Sequence, residues 1–235
     1  MARWLPTAAS SYAGEIDWVI IFITVVVGIW FIIAEGALIY SALRYRRKEG
    51  RRASYLPART LRAMAVILVP CALILGFDLA IDSVATPVWH QIKESLPPHD
   101  EVVRITGQQW AWRFTLPGPD GELDTDDDVD VVNDLHVPLN DVVEFELTSS
   151  DVIHSLYIPD FRLKQDAVPG RTIRGWFKPT REGKYEVVCA ELCGFGHTMM
   201  KGSLVVEGRE AYHQWLQSKI AEAQAQRRKE GSKQG

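Results

Sequence analysis

Between residues 189 and 200 the chain carries two thiols, an imidazole and a thioether in the run Cys189-Ala190-Glu191-Leu192-Cys193-Gly194-Phe195-Gly196-His197-Thr198-Met199-Met200. A second imidazole, His154, lies upstream. Soft sulfur combined with imidazole nitrogen favours copper among the common protein metals. A single-copper electron-transfer site needs one Cys, two His and a weak axial Met, so this stretch has one thiolate too many for it. Two thiolates in one loop could instead bridge two copper ions. Cys189 and Cys193 would be the bridges, His154 and His197 the terminal nitrogens and Met200 a weak axial ligand, with the Glu191 backbone carbonyl on the opposite side. Three plainer readings compete. A Cys189–Cys193 disulfide suits two cysteines outside the cytoplasm. Zinc held by two Cys and two His leaves Met200 without a role. His154 taken alone, beside Ile153 and Leu156, reads as a core histidine. Taken together, the five side chains outweigh each of these.

Such ligands need a rigid frame, and the middle of the chain predicts one. Glu101–Phe114, Asp141–Thr148, Thr172–Phe177, Lys184–Val188 and Ser203–Val206 read as short strands separated by Gly, Pro, Asn and Asp turns. No long helix is expected before residue 209, so the segment 87–208 predicts an all-β sandwich with the soft ligands on two loops at one end. Arg209–Ala225 places Tyr212, Trp215, Leu216, Ile220 and Ala223 at helical spacing and predicts an amphipathic helix, with a frayed polar tail from Arg227. Within Trp110-Ala111-Trp112 the two indoles are expected on one face of a single strand.

Ahead of this domain lie two long apolar runs, and residues 1–86 read as a transmembrane helical hairpin with spans at about 18–43 and 63–84. Trp18–Leu43 would span about 39 Å as a helix, more than a bilayer's hydrocarbon core. It is too long for a signal-peptide core and follows Glu15 and Asp17 rather than a basic leader, so it reads as a retained anchor. Pro70 in the second span predicts a tolerated kink. Arg44–Arg62 holds eight basic residues against Glu49 alone, which places this loop on the cytoplasmic (or matrix) side. The large domain then faces the periplasm or the intermembrane space. Thr86–Asp100, with Pro87, Pro97 and Pro98, reads as a linker. Residues 1–86 carry a formal +3 and the remainder −7, a split that suits two compartments.

The run 189–200 resembles the CuA loop of cytochrome c oxidase subunit II. So do Asp151-Val152-Ile153-His154-Ser155 and Lys164-Gln165-Asp166-Ala167-Val168-Pro169-Gly170-Arg171, while Gly107-Gln108-Gln109-Trp110-Ala111-Trp112 resembles the family's aromatic segment. The similarity extends from the first apolar run to about residue 208. It implies a Greek-key cupredoxin domain and a dinuclear mixed-valence copper centre held by His154, Cys189, Glu191 (through its carbonyl), Cys193, His197 and Met200. It further implies that the Glu191 carboxylate reaches a magnesium or manganese ion at the border with the catalytic subunit. Trp110 matches the tryptophan through which electrons arrive from cytochrome c. The partners implied are a haem-copper catalytic subunit I that reduces O2 to water with proton translocation, other oxidase subunits, a c-type cytochrome and membrane lipid. The membrane implied is a prokaryotic plasma membrane or a mitochondrial inner membrane.

The sequence departs from the family in one respect. Many relatives place a glutamate about two turns before the proline of the second span, at a proton channel; here Ala63 stands seven residues before Pro70. Glu35 lies within the first span, where a carboxylate is costly and reads as a functional candidate, either on a proton path or bonded to a partner helix. The missing glutamate keeps a nitric oxide reductase with a similar CuA subunit as an alternative. From another class, a membrane-anchored copper-delivery protein could use the same Cys, His and Met. Only Cys71, Cys189 and Cys193 occur, so there is no Cys-x-x-Cys-His haem attachment and a cytochrome is expected as a separate partner. Asp120–Asp134 holds eight carboxylates and no Lys or Arg. It predicts a solvated loop that steers a basic cytochrome c, with calcium binding disfavoured by Val129 and Leu135 at its key positions.

Overall fold

The computed structural model describes residues 5–52, 57 and 59–231, so the last four residues of the expected polar tail lie outside the described residues. Two compact units result: Glu15–His90, and Gln91 onward together with the segment up to Gly14.

The first unit is a pair of apolar helices, α1 (Ala13–Arg44) and α2 (Leu61–Trp89). At 1.5 Å per residue they run about 48 Å and about 43 Å, longer than the spans expected from hydropathy. Both are long and apolar enough to cross a membrane. Thr60 caps α2, its hydroxyl accepting the Ala63 N–H at 3.3 Å. Trp30 packs edge-on against Phe77 at 5.5 Å between centroids. Most of their Ile, Leu, Val and Phe side chains are exposed, a surface that only lipid or partner helices would cover. α2 runs through both Pro70 and Pro87, and a π-helical turn, His90–Glu94, follows it. The first half of the expected linker is therefore helical, because the freed carbonyl before a proline does not end a helix that is otherwise apolar and uninterrupted.

The second unit is a sandwich of two five-stranded sheets, as the turn-punctuated strand pattern predicted. One has the order β3 (Val129–Val132), β2 (Ala111–Leu116), β1 (Glu101–Gln108), β5 (Val143–Ser149), β8 (Ile173–Phe177). The other runs β4 (Asp134–Pro138), β10 (Lys201–Glu207), β9 (Gly183–Cys189), β6 (His154–Ile158), β7 (Leu163–Ala167). β1 pairs parallel with β5 and β10 with β4; the other pairs are antiparallel. The expected single strand 101–114 is a hairpin, with Gln108 opposite Ala111 and Gln109-Trp110 in the turn. Trp110 and Trp112 thus do not share a strand face. A helix, α3 (Arg209–Gly231), follows β10 and extends past the expected fraying point, with an Arg227 guanidinium donating to the Asp128 carbonyl at 2.5 Å.

The core lies between the sheets. Ile105, Trp112, Phe114, Phe145 and Leu147 from the first sheet meet Leu135, Leu156, Ile158, Val187 and Leu204 from the second, all almost fully buried. Phe177 sits among Phe145 and Phe161, at 6.2 and 5.5 Å between centroids. Phe177→Ala is expected to destabilise the domain by about 3–5 kcal/mol, read as a lower denaturation midpoint at unchanged m-value.

The N-terminal segment, which carried no expectation of structure, is bound to this sandwich. The Ala9 N–H donates to the Asp160 carbonyl at 2.9 Å, the Thr180 N–H to the Ala9 carbonyl at 2.8 Å, and the Ser10 hydroxyl to the Phe161 carbonyl at 2.8 Å. Tyr12 is fully buried and meets Trp176 edge-on. The chain therefore leaves the domain into α1 and rejoins it after α2.

Candidate metal centre

The stretch from Cys189 to Met200 joins two antiparallel neighbours, β9 and β10, so its two ends are brought together by sheet pairing. The Cys189 N–H donates to the Met200 carbonyl at 3.2 Å. β6 lies on the other side of β9, with Leu156 opposite Cys189, and the Ala190 N–H donates to the Ser155 carbonyl at 2.9 Å. This pairing brings His154 to the thiols across thirty-five residues of chain.

The six groups singled out in the sequence meet at one place. The two sulfurs are 3.7 Å apart and both cysteines are free. Each has its own imidazole: His154 Nδ1 lies 3.9 Å from Cys189 Sγ, and His197 Nδ1 3.6 Å from Cys193 Sγ. Each also has its own weaker neighbour, the Glu191 carbonyl 3.2 Å from Cys189 Sγ and Met200 Sδ 3.8 Å from Cys193 Sγ. His154, Cys189 and Cys193 form the tight donor cluster among the described residues, with His197 set outside it beyond Cys193.

The chemistry of this donor set fits a metal centre. A sulfur separation of 3.7 Å is far beyond a disulfide bond of about 2.05 Å. It is less than twice a metal–thiolate bond of about 2.3 Å, so one ion can touch both sulfurs. Burial pushes the Cys193 thiol up to about 11, the neighbouring Cys189 adding to the shift, so a metal has to displace the protons to bind.

Two close approaches shape the site. A Cβ on Gly107 would come within 2.9 Å of the His154 ring, so the bare backbone of β1 makes room for the imidazole. A Cβ on Gly196 would fall 2.4 Å from the Trp110 ring. Trp110, two-fifths exposed, thus lies flat on the thiol loop, its indole N–H 3.4 Å from the Cys193 carbonyl. The Gln109 amide donates to the same carbonyl at 2.8 Å. Trp112 is buried, 6.1 Å from the His154 ring between centroids.

The sequence gives Asp151 no role of its own, yet both of its oxygens are bonded within the site. One oxygen is 2.7 Å from His154 Nε2 and 2.6 Å from the Val152 N–H; the other accepts the Gln109 N–H at 2.6 Å. Partial burial pushes its carboxyl up, but the bonds from His154, Gln109 and Val152 outweigh this and hold it below the usual range. An Asp three residues before a strand-leading His, able to bond its own turn, was the available signal.

Other candidates fall elsewhere. Glu35 is exposed on α1, and the Glu191 side chain is exposed on the thiol loop. The acidic segment is not one solvated patch. Asp124 is paired with Arg104, which holds its carboxyl below the usual range; Asp130 accepts from Thr115 at 2.6 Å and Asp134 from Ser203 at 2.6 Å. Its loop leaves β2 at Leu116, the end opposite Trp110, about 20 Å away along the strand. The Debye length at physiological ionic strength is about 8 Å, so most of these charges are screened at the thiol loop. The loop's carboxylates thus lie toward the far end of β2 from Trp110, and steering of a basic partner by them fades with salt. Asp124, occupied by Arg104, also removes the first ligand of the calcium reading.

Two membrane-length helices and a two-sheet sandwich whose end loops gather two thiols, two imidazoles and a thioether define a membrane-anchored β-sandwich protein with a candidate soft-metal site. Comparison with known proteins agrees. The family model "Cytochrome C oxidase subunit II, periplasmic domain" matches residues 101–208. The chain is 35% identical over 239 residues to the alternative cytochrome c oxidase subunit 2 of Bradyrhizobium diazoefficiens, covering 91% of this chain and 83% of that one. It is 30% identical to cytochrome c oxidase subunit 2 of Cereibacter sphaeroides, covering 89% and 78%. Among solved structures, the periplasmic domain of subunit II of cytochrome oxidase (CoxB) of Bradyrhizobium japonicum is 28% identical, with a TM-score of 0.49, covering 55% of this chain and 99% of that one. The chain belongs to the cytochrome c oxidase subunit II family.

Proposed function

We propose that this chain takes single electrons from a c-type cytochrome at a dinuclear copper centre and passes them to a haem-bearing catalytic subunit, where oxygen is reduced to water with proton translocation. The observation that carries this reading is the pair of free thiols 3.7 Å apart, each with its own imidazole and its own weak neighbour. The two imidazoles lie beside different sulfurs, an arrangement that suits two ions sharing the thiolates. Copper bound there supplies a one-electron redox couple. The Cys189 and Cys193 thiolates and the His154 and His197 imidazoles would hold it, with Met200 and the Glu191 carbonyl as weaker donors beside them.

The protein's part is to keep this set rigid and dry. His154 and Met200 are fully buried and the two cysteines nearly so, which suits electron transfer and opposes an exchangeable delivery site. Around them Leu192, Phe195, Met199, Val152 and Ile153 are exposed on the two site loops, beside Trp110. An apolar surface of this kind suits docking of redox partners. Trp110 is the contact for the donor, and the exposed Glu191 carboxylate reaches a magnesium or manganese ion whose other ligands come from the catalytic subunit. The domain lies on the periplasmic or intermembrane side.

Metal analysis of the intact chain tests this: two coppers per chain are expected, and one zinc per chain would overturn it. Glu35 is the candidate for proton uptake in place of the missing glutamate at Ala63. Glu35→Gln is expected to slow turnover and proton uptake of the assembled oxidase about 10- to 100-fold while leaving copper content intact. Unchanged proton uptake would remove Glu35 from the path.

A further inference from the structure

We propose that Asp151 is the positioning residue of this centre, fixing which nitrogen of His154 faces the thiols and tying the Trp110 turn to the same anchor. The inference rests on the dinuclear copper reading for its electronic half, but its structural half stands on the metal-free chain.

A carboxylate only accepts hydrogen bonds, so the 2.7 Å contact with Asp151 places the His154 proton on Nε2. Nδ1 is then left with its lone pair, on the side 3.9 Å from Cys189 Sγ. Without this acceptor either nitrogen could carry the proton, and a protonated Nδ1 cannot bind a metal. The ring is held from other sides as well, by the bare backbone at Gly107 and by Trp112, so Asp151 sets its tautomer within an already fitted slot.

The second oxygen extends the effect. It accepts the Gln109 N–H at 2.6 Å, and Gln109 in turn donates its side-chain amide to the Cys193 carbonyl at 2.8 Å. One carboxylate therefore joins the His154 loop, the hairpin turn bearing Trp110 and, through Gln109, the thiol loop. Ser149 and the Val152 N–H hold Asp151 itself in place, at 3.5 and 2.6 Å. A carboxylate behind a ligating imidazole also raises its donor strength, which favours the oxidised metal.

The test uses the full chain in nanodiscs with ¹⁵N-labelled histidine. In the metal-free wild type, His154 is expected as the Nε2–H tautomer; in Asp151→Ala a mixture of tautomers is expected. Asp151→Asn, which keeps an amide oxygen, is expected to retain the tautomer. After copper loading, both variants are expected to raise the reduction potential, the oxidised form losing about tenfold in relative affinity, equivalent to about 59 mV for one electron. The nitrogen hyperfine coupling of one histidine should change and that of the other should not. Lower thermal stability with tautomer, coupling and potential unchanged would make Asp151 a turn-packing residue only and overturn the proposal. A wild type that fails to bind a copper pair would overturn the copper reading instead, and the Asp151 assignment would then be decided by the tautomers of the metal-free chain.

Discussion

Replacing Cys193 by serine is expected to abolish the proposed dinuclear centre while leaving the sandwich folded. Cys193 is the hub of the site: its sulfur lies within 3.8 Å of Cys189 Sγ, His197 Nδ1 and Met200 Sδ. Serine fills nearly the same volume but offers a hard oxygen in place of a soft thiolate, a poor match for copper. His197 and Met200 would lose the sulfur that connects them to the remaining donors, leaving Cys189, His154 and the Glu191 carbonyl as a site for one ion at most. The expected outcome is one copper or none per chain and oxidation of cytochrome c by the assembled oxidase reduced by more than about 100-fold. The strands on either side are paired independently of the sulfur, so the denaturation midpoint of the metal-free domain should move little. Wild-type copper stoichiometry in Cys193→Ser would contradict the bridging role.

Trp110→Ala is expected to separate donor contact from metal binding. The indole lies flat on Gly196 and reaches the Cys193 carbonyl, yet two-fifths of it is exposed. It is thus part of the outer surface and in contact with the thiol loop at once. Exposed tryptophans at the centre of an interface commonly contribute 2 kcal/mol or more. Loss of this one is expected to lower kcat/KM for cytochrome c by about 30-fold. Copper content is expected to stay at the wild-type level, because no ligating atom belongs to Trp110 and Gln109 still holds the Cys193 carbonyl. Electron flow from a small-molecule reductant should be much less affected than flow from the cytochrome. An equal loss with both donors would place Trp110 in support of the loop rather than at the donor contact.

The site was more legible in the sequence than the frame that carries it. Five of the six candidate donors lie within twelve residues and the sixth, His154, in a recognisable flanking motif, and soft ligands are rare enough to stand out. The backbone geometry that unites them is a property of pairing: β9 with β10 closes the thiol loop, and β9 with β6 brings in His154. β7, Leu-Lys-Gln-Asp-Ala, turns only Leu163 and Ala167 inward, which is too little apolar alternation to read as a strand. β3 and β4 are short and embedded in acidic sequence, and the partner of β4 is the distant β10. Pro87 read as a helix end because proline usually marks one in water, whereas α2 continues to Trp89. The N-terminal segment gave no periodic signal, since its role depends on single backbone bonds with Asp160, Lys178 and Thr180 and on the one buried ring of Tyr12. Asp151 was visible as a residue but not as a hub, because its long-range partner, Gln109, comes from a separate segment forty-two residues away.

The most direct test of the copper centre is the electron paramagnetic resonance spectrum of the intact, copper-loaded chain in detergent. One unpaired electron split equally by two copper nuclei, present in the wild type and lost in Cys189→Ser, is the expected result. A spectrum from a single isolated copper nucleus, or the same spectrum with and without Cys189, would contradict a shared pair held by the two thiolates.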